Sequence, residues 1–150
     1  YNGIPLRGAV TNGPLTFKEK GSRQFIYGRS ITTAYRLEKN QAWSGAIIAP
    51  ELLKLDTIKN SRELQYFKES NILVDYDVPI KENSIQRFTC LNWVEPLAFI
   101  TKGKFEFSEE IIFDSFRKHN KPTDDSYIQT KIKNTIGFYR YIVELSKPHN

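Results

Sequence analysis

The side chains of this sequence that can do chemistry are few in kind. There is one cysteine, Cys90, and the histidines are His119 and His149. Such a set excludes an internal disulfide framework and a Cys/His zinc constellation, and Cys90 reads as a small buried hydrophobe. What remains is charge: 22 lysines and arginines against 17 aspartates and glutamates, a formal net charge of +5. An excess of cations suits a polyphosphate ligand, an acidic partner or nucleic acid. Its distribution argues against the last of these. Bases alternate with acids in Arg36-Leu37-Glu38-Lys39 and again across Lys102 to Glu110. That is the pattern of a solvated surface, so a dedicated nucleic-acid module is not expected.

The elements that must position these charges centre on residues 24–41. Gln24 to Tyr27 reads as a short strand, Gly28 as a break, and about 29 to 40 as a helix that Ser30 can cap. Ile31, Ala34, Tyr35 and Leu37 lie on one side of that helix, while Arg36, Glu38 and Lys39 project toward the other. Periodicity alone fits any amphipathic helix. Upstream, Ile4 to Thr11 alternates as a strand does, Asn12-Gly13-Pro14 is turn chemistry, and Leu15-Thr16-Phe17 is a returning strand before a polar loop, Lys18 to Arg23. Downstream, Gly45 to Ala49 is an apolar strand expected to be buried on both faces. Pro50 opens a helix, Ser61 to Glu69 is a second helical piece, and Ile72–Ile80 with Ile85–Val94 reads as a hairpin joined by Lys81 to Ser84.

Beyond Trp93 the composition changes, and Glu95 to Phe107 has no clear assignment. Glu109 to Lys118 is helical, and Pro122-Thr123-Asp124-Asp125 opens a long helix reaching about Ser146. Its apolar stripe, Ile128, Ile132, Thr135, Ile136, Tyr139, Ile142, Val143 and Leu145, is expected to pack on its own domain, because a helix of that length needs tertiary burial. With 39% apolar and 13% aromatic residues in 150, the chain can bury a core as one domain or part of one. It has no run of 18 apolar residues and no signal-peptide pattern at its start, so a cytoplasmic protein without a membrane span is expected. The absence of methionine leads us to expect a fragment or a processed form.

Several stretches carry a resemblance to a known family. Gly28-Arg29-Ser30-Ile31-Thr32-Thr33-Ala34-Tyr35-Arg36-Leu37-Glu38 is similar to the helix of the class III nucleotidyl cyclase catalytic domain, where a glycine precedes Asn-x-x-x-Arg and then an apolar and an acidic residue. Leu6-Arg7-Gly8-Ala9-Val10-Thr11-Asn12-Gly13 resembles that family's Arg-x-Gly-apolar-x-x-Gly strand, with Ala9 where the first glycine is usual. Trp43 to Pro50 resembles the buried strand that follows the helix, and Phe88-Thr89-Cys90-Leu91-Asn92-Trp93 resembles the last strand of a bacterial subgroup. Order and spacing agree over about residues 4 to 93, which correspond to the second half of such a domain.

The resemblance implies a fold and a chemistry. The fold is α/β (α+β), a ferredoxin-like half-domain with a mixed or antiparallel sheet over residues 1–94, and a C-terminal helical extension, 95–150, packed on it. The reaction turns a nucleoside triphosphate into a 3′,5′-cyclic monophosphate: the ribose 3′ oxygen attacks the α-phosphate and pyrophosphate leaves. Mg²⁺ or Mn²⁺ ions serve it in the intact family domain, held by two aspartates that lie upstream of the part matched here. No metal ligand is therefore assigned in this chain, which is expected to be inactive by itself. Arg36 matches the arginine that stabilises charge on the α-phosphate, and Thr32 stands where an asparagine orients the ribose. Lys81 falls near a triphosphate-binding lysine, with a plain surface-loop lysine as the alternative. Phe25 occupies the neighbourhood of a purine-reading residue, which leaves the base open, and Arg7 is expected to be structural or interfacial. The implied partners are a nucleoside triphosphate and either a second copy or a companion N-terminal half, with Arg36 acting in trans and the Ile4–Thr11 edge needing a neighbour. The alternative is a degenerate cyclase homology domain that binds nucleotide or dimerises without turnover; Thr32 and Phe25 favour it.

Overall fold

Trp43 has no exposed surface, and the layers of the molecule form around it. The computed structural model describes residues 5–101, 108–119 and 121–147. The expected start of the first strand at Ile4, the stretch from Lys102 to Phe107, and His149 lie outside the described residues. In chain order the elements are β1 (Gly8–Val10), β2 (Thr16–Lys20), β3 (Arg23–Tyr27), α1 (Arg29–Asn40), β4 (Ala46–Ile48), α2 (Pro50–Leu53), α3 (Asp56–Lys59), α4 (Arg62–Glu69), β5 (Leu73–Ile80), β6 (Ser84–Leu91), α5 (Val94–Thr101), α6 (Glu109–Lys118) and α7 (Ser126–Leu145).

The class is mixed α/β, as expected: a four-stranded mixed sheet with C-terminal helices. Strand order is β1-β4-β6-β5, with β1 parallel to β4 across α1 and the other neighbours antiparallel. Register aligns Ala9, Ile47, Cys90 and Val74 in one row across the sheet, and directly paired residues share a face. Alternation adds Tyr76, Val78 and Phe88 to that face. All of them belong to a single core with Trp43, Phe138 and Ile142, or pack against it. α7 thus lies on the sheet, as its apolar stripe predicts. The expected stripe was incomplete, however. Phe138, absent from it, is fully buried and touches Trp43, Tyr76 and Trp93, with ring centroids 4.7, 5.0 and 5.8 Å away. Val143, counted in it, is exposed.

Polar bonds fix α7 in place. Asn134 Nδ2 donates to the Ala42 carbonyl at 2.8 Å, and the Ser44 amide donates to Thr135 Oγ1 at 2.9 Å. The opposite face of β5 and β6 carries two polar pairs at its centre, between the Leu73–Leu91 and Pro79–Ile85 pairs. Arg87 meets Asp77 at 3.1 Å, and Thr89 Oγ1 donates to Asp75 Oδ1 at 2.5 Å. β4 is buried on both faces, through Ile47 and Ile48, as its unbroken apolar run requires.

Three local expectations are corrected. The described part of the first strand does not pair with 15–17; β1 pairs with β4, and β2 pairs with β3 through Lys18 to Arg23, which the sequence presents as a polar loop. Gly21 allows this: its φ of +61° at the first of two turn positions suits a tight hairpin loop. Ser30 does not cap α1. It is the second helical residue, with Gly28 at the cap position, and its hydroxyl donates to the Pro14 carbonyl at 3.4 Å. The last strand ends at Leu91 instead of Val94, because Asn92 Oδ1 accepts from the Val94 amide at 3.0 Å and starts α5.

Candidate functional site

The C-terminal turn of α1 is stitched to the end of β5, and this decides which cations meet. The Lys81 amide donates to the Asn40 carbonyl and the Ala42 amide to the Pro79 carbonyl, each at 2.9 Å. Between them Gln41, fully buried, forms a hub. Its Nε2 donates to the Gly8 carbonyl at 2.9 Å and the Leu37 carbonyl at 3.2 Å, while its Oε1 accepts from Trp43 Nε1 at 2.9 Å. Arg7 adds an outer tie: Nη1 donates to the Gln41 carbonyl at 3.0 Å, and Nη2 meets Glu38 Oε1 at 2.8 Å. So Arg7 holds β1 against the end of α1.

Beside this junction lies a cleft of about 480 Å³. Arg36, Lys39 and Lys81 line it together with Tyr35, Asn40 and Gln86, over apolar side chains that include Leu37, Ile47, Ile80 and Phe88. No carboxylate is among the lining residues. Arg36 is exposed, and its side chain makes no hydrogen bond or ion pair with another described residue. Lys39 donates to Tyr35 Oη at 3.0 Å and sits 5.3 Å from the centre of that ring. The hydrogen bond to Tyr35 raises the Lys39 pKa, so the ammonium stays charged. A cleft lined by three cations, three amide side chains and no acid suits a negatively charged ligand, since each anion oxygen can replace water with a charge-assisted bond.

Of the residues singled out in the sequence, Arg36 and Lys81 come together here although 45 positions apart. Thr32 and Phe25 do not line the cleft. The Thr32 hydroxyl donates to the Gly28 carbonyl at 3.3 Å, one turn back in its own helix. Phe25 stands on β3, paired opposite Lys18 and largely exposed. Lys39 was missed as a site residue. Its helical spacing of three from Arg36 placed both on one side and held the signal. Gln41 carried no such signal, because a buried amide hub depends on contacts from β1 and Trp43 that spacing does not reveal.

The donor set does not fit a divalent cation. Among the described residues no group of three or more His, Cys, Asp or Glu side chains is arranged to hold a metal ion, and the cleft offers ammonium and guanidinium groups instead. No helix among the described residues is long and apolar enough to cross a membrane. No protein-family model, no curated protein and no solved structure matches the chain.

Proposed function

We propose that this chain is the phosphate-binding second half of a class III nucleotidyl cyclase-like domain, with the ferredoxin-like half-fold that this reading implies. The observation that supports it is the meeting of Arg36 and Lys81, chosen separately by resemblance, in one acid-free cleft. In this reading Arg36 bridges two phosphate oxygens with its planar guanidinium, while Lys81 and Lys39 neutralise the rest of a nucleoside triphosphate. The apolar floor of Leu37, Ile80 and Phe88 limits water around those charges and so strengthens each contact. Mg²⁺ or Mn²⁺ would supply activation of the ribose oxygen, and a companion half would have to hold the ions, because the residues of this cleft do not suit them. β1 is an edge strand, which leaves room for such a neighbour.

A second reading is a nucleotide-binding or dimerisation domain without turnover. It is favoured by Thr32, whose hydroxyl is engaged with Gly28 and stands off the cleft. Calorimetry of the chain with inorganic tripolyphosphate tests the cleft itself. Arg36→Ala is expected to weaken binding by about tenfold or more, the scale of one lost charged hydrogen bond. Absence of binding would sink the cyclase reading and the nucleotide-binding form of the second, leaving only dimerisation. Adding the upstream half with Mn²⁺ and each nucleoside triphosphate then separates them: cyclic nucleotide and pyrophosphate that vanish in Arg36→Ala support the cyclase, and binding without product supports the silent domain.

A further inference from the structure

The β2–β3 hairpin sorts its side chains in a way the linear sequence hides. Register pairs Thr16 with Tyr27, Lys18 with Phe25, and Lys20 with Arg23, and these six share one face. The other face holds the Phe17–Ile26 pair and the Glu19–Gln24 pair, where Gln24 Nε2 donates to Glu19 Oε1 at 3.0 Å. The only acid of the ribbon is therefore turned away from all three of its cations. None of Lys18, Lys20 and Arg23 has an ion-pair partner among the described residues. Lys20 and Arg23 sit directly opposite each other, a like-charge pair that costs stability unless an anion joins it. Phe25 and Tyr27 follow Arg23 along β3 on the same face, with Phe25 directly opposite Lys18, and both residues are about half exposed.

We infer that this ribbon face binds single-stranded nucleic acid. Cations at a two-residue repeat, about 6.8 Å, can track a phosphate backbone. The rings beside and beyond them on β3 offer stacking platforms that any base fits. An acidic peptide would satisfy the charges but not use the rings. A second copy would bring a net charge of +5 toward a cationic face. The inference is independent of the cleft, which lies against β5 and β6.

The test is fluorescence anisotropy of the whole chain with a labelled oligothymidylate of about 12 nucleotides. Log affinity is expected to fall against log salt with a slope of about −2, from three phosphate contacts at about −0.7 each. Lys18→Gln/Lys20→Gln/Arg23→Gln should abolish that slope, and Phe25→Leu, which keeps apolar bulk and loses the ring, should weaken binding about tenfold. Both variants lie on an exposed ribbon, and an unchanged thermal melt verifies their fold. No binding, or binding untouched by these changes, overturns the inference. Binding lost in Arg36→Ala but kept in the triple variant would put the strand in the cleft and overturn it too. Equal competition by polyglutamate with no effect of Phe25→Leu would mean an acidic-peptide surface, and loss of a dimer in the triple variant would mean a second copy.

Discussion

A methyl group added at Gly45 would come within 2.4–2.6 Å of the Trp43 ring, which is packed on every side and cannot swing away. Gly45→Ala is therefore expected to cost about 1–3 kcal/mol, seen as a lower urea midpoint with an unchanged slope. An unchanged midpoint would mean that the indole is free to move. Cys90 makes a prediction about pH. Burial, then the nearby Asp75 carboxylate, push its thiol up to about 12 from an ordinary 9.0. Between those values the unfolded chain releases the proton and the folded chain keeps it, so the thiol's contribution is whole below pH 9 and is lost as pH climbs toward 12. In urea titrations over that range Cys90→Ala should lose stability less steeply than the natural chain. Parallel losses would show that the thiol ionises freely in the fold. At this scale the burial of Cys90 was legible, since a lone cysteine in an apolar strand has few other fates. The Gly45–Trp43 contact was not, because residues two apart meet this way only when the backbone turns sharply.

Among the elements, the β2–β3 hairpin pairs with neither neighbour in the larger sheet. Gly21 sits in its turn at φ +61°, with open space where a side chain would stand. Gly21→Ala should thus act through backbone strain alone, about 1 kcal/mol, and only on the hairpin. Amide exchange across β2 and β3 should speed up by about fivefold while the global melt stays put. A matching drop in the global melt would show that the ribbon supports the core. Gln24 to Tyr27 was legible as a strand, but its pairing through Lys18 to Arg23 was not, for a physical reason. Strands are found by alternating apolar residues, and Lys18 to Arg23, at the turn end of a ribbon with both faces in water, has none, so it looks like a loop. The β5–β6 hairpin, α6 and α4 were read nearly to their ends, because each buries one side or carries a cap such as Ser61, which accepts from the Leu64 amide at 3.1 Å. Of the cleft's lining, Arg36 and Lys81 were singled out in the sequence. That they share a wall was not legible, since it rests on the bonds joining Asn40 to Lys81 and Ala42 to Pro79.

For the molecule as a whole, α7 completes the core that the sheet begins. Phe138→Ala would empty the space among Trp43, Tyr76 and Trp93, and is expected to cost about 3–5 kcal/mol by thermal or urea unfolding. A loss under about 1 kcal/mol would mean that the helix docks without that ring. The same arrangement has an optical consequence. Trp43 is sealed between the sheet and α7, its indole nitrogen bonded to Gln41, and Trp93 is the only other tryptophan in the chain. In a Trp93→Phe background the emission of Trp43 would be blue-shifted and protected from iodide while α7 is seated. It would turn red and quenchable as soon as the helix lifts, so one colour reports the docking of the last helix in real time.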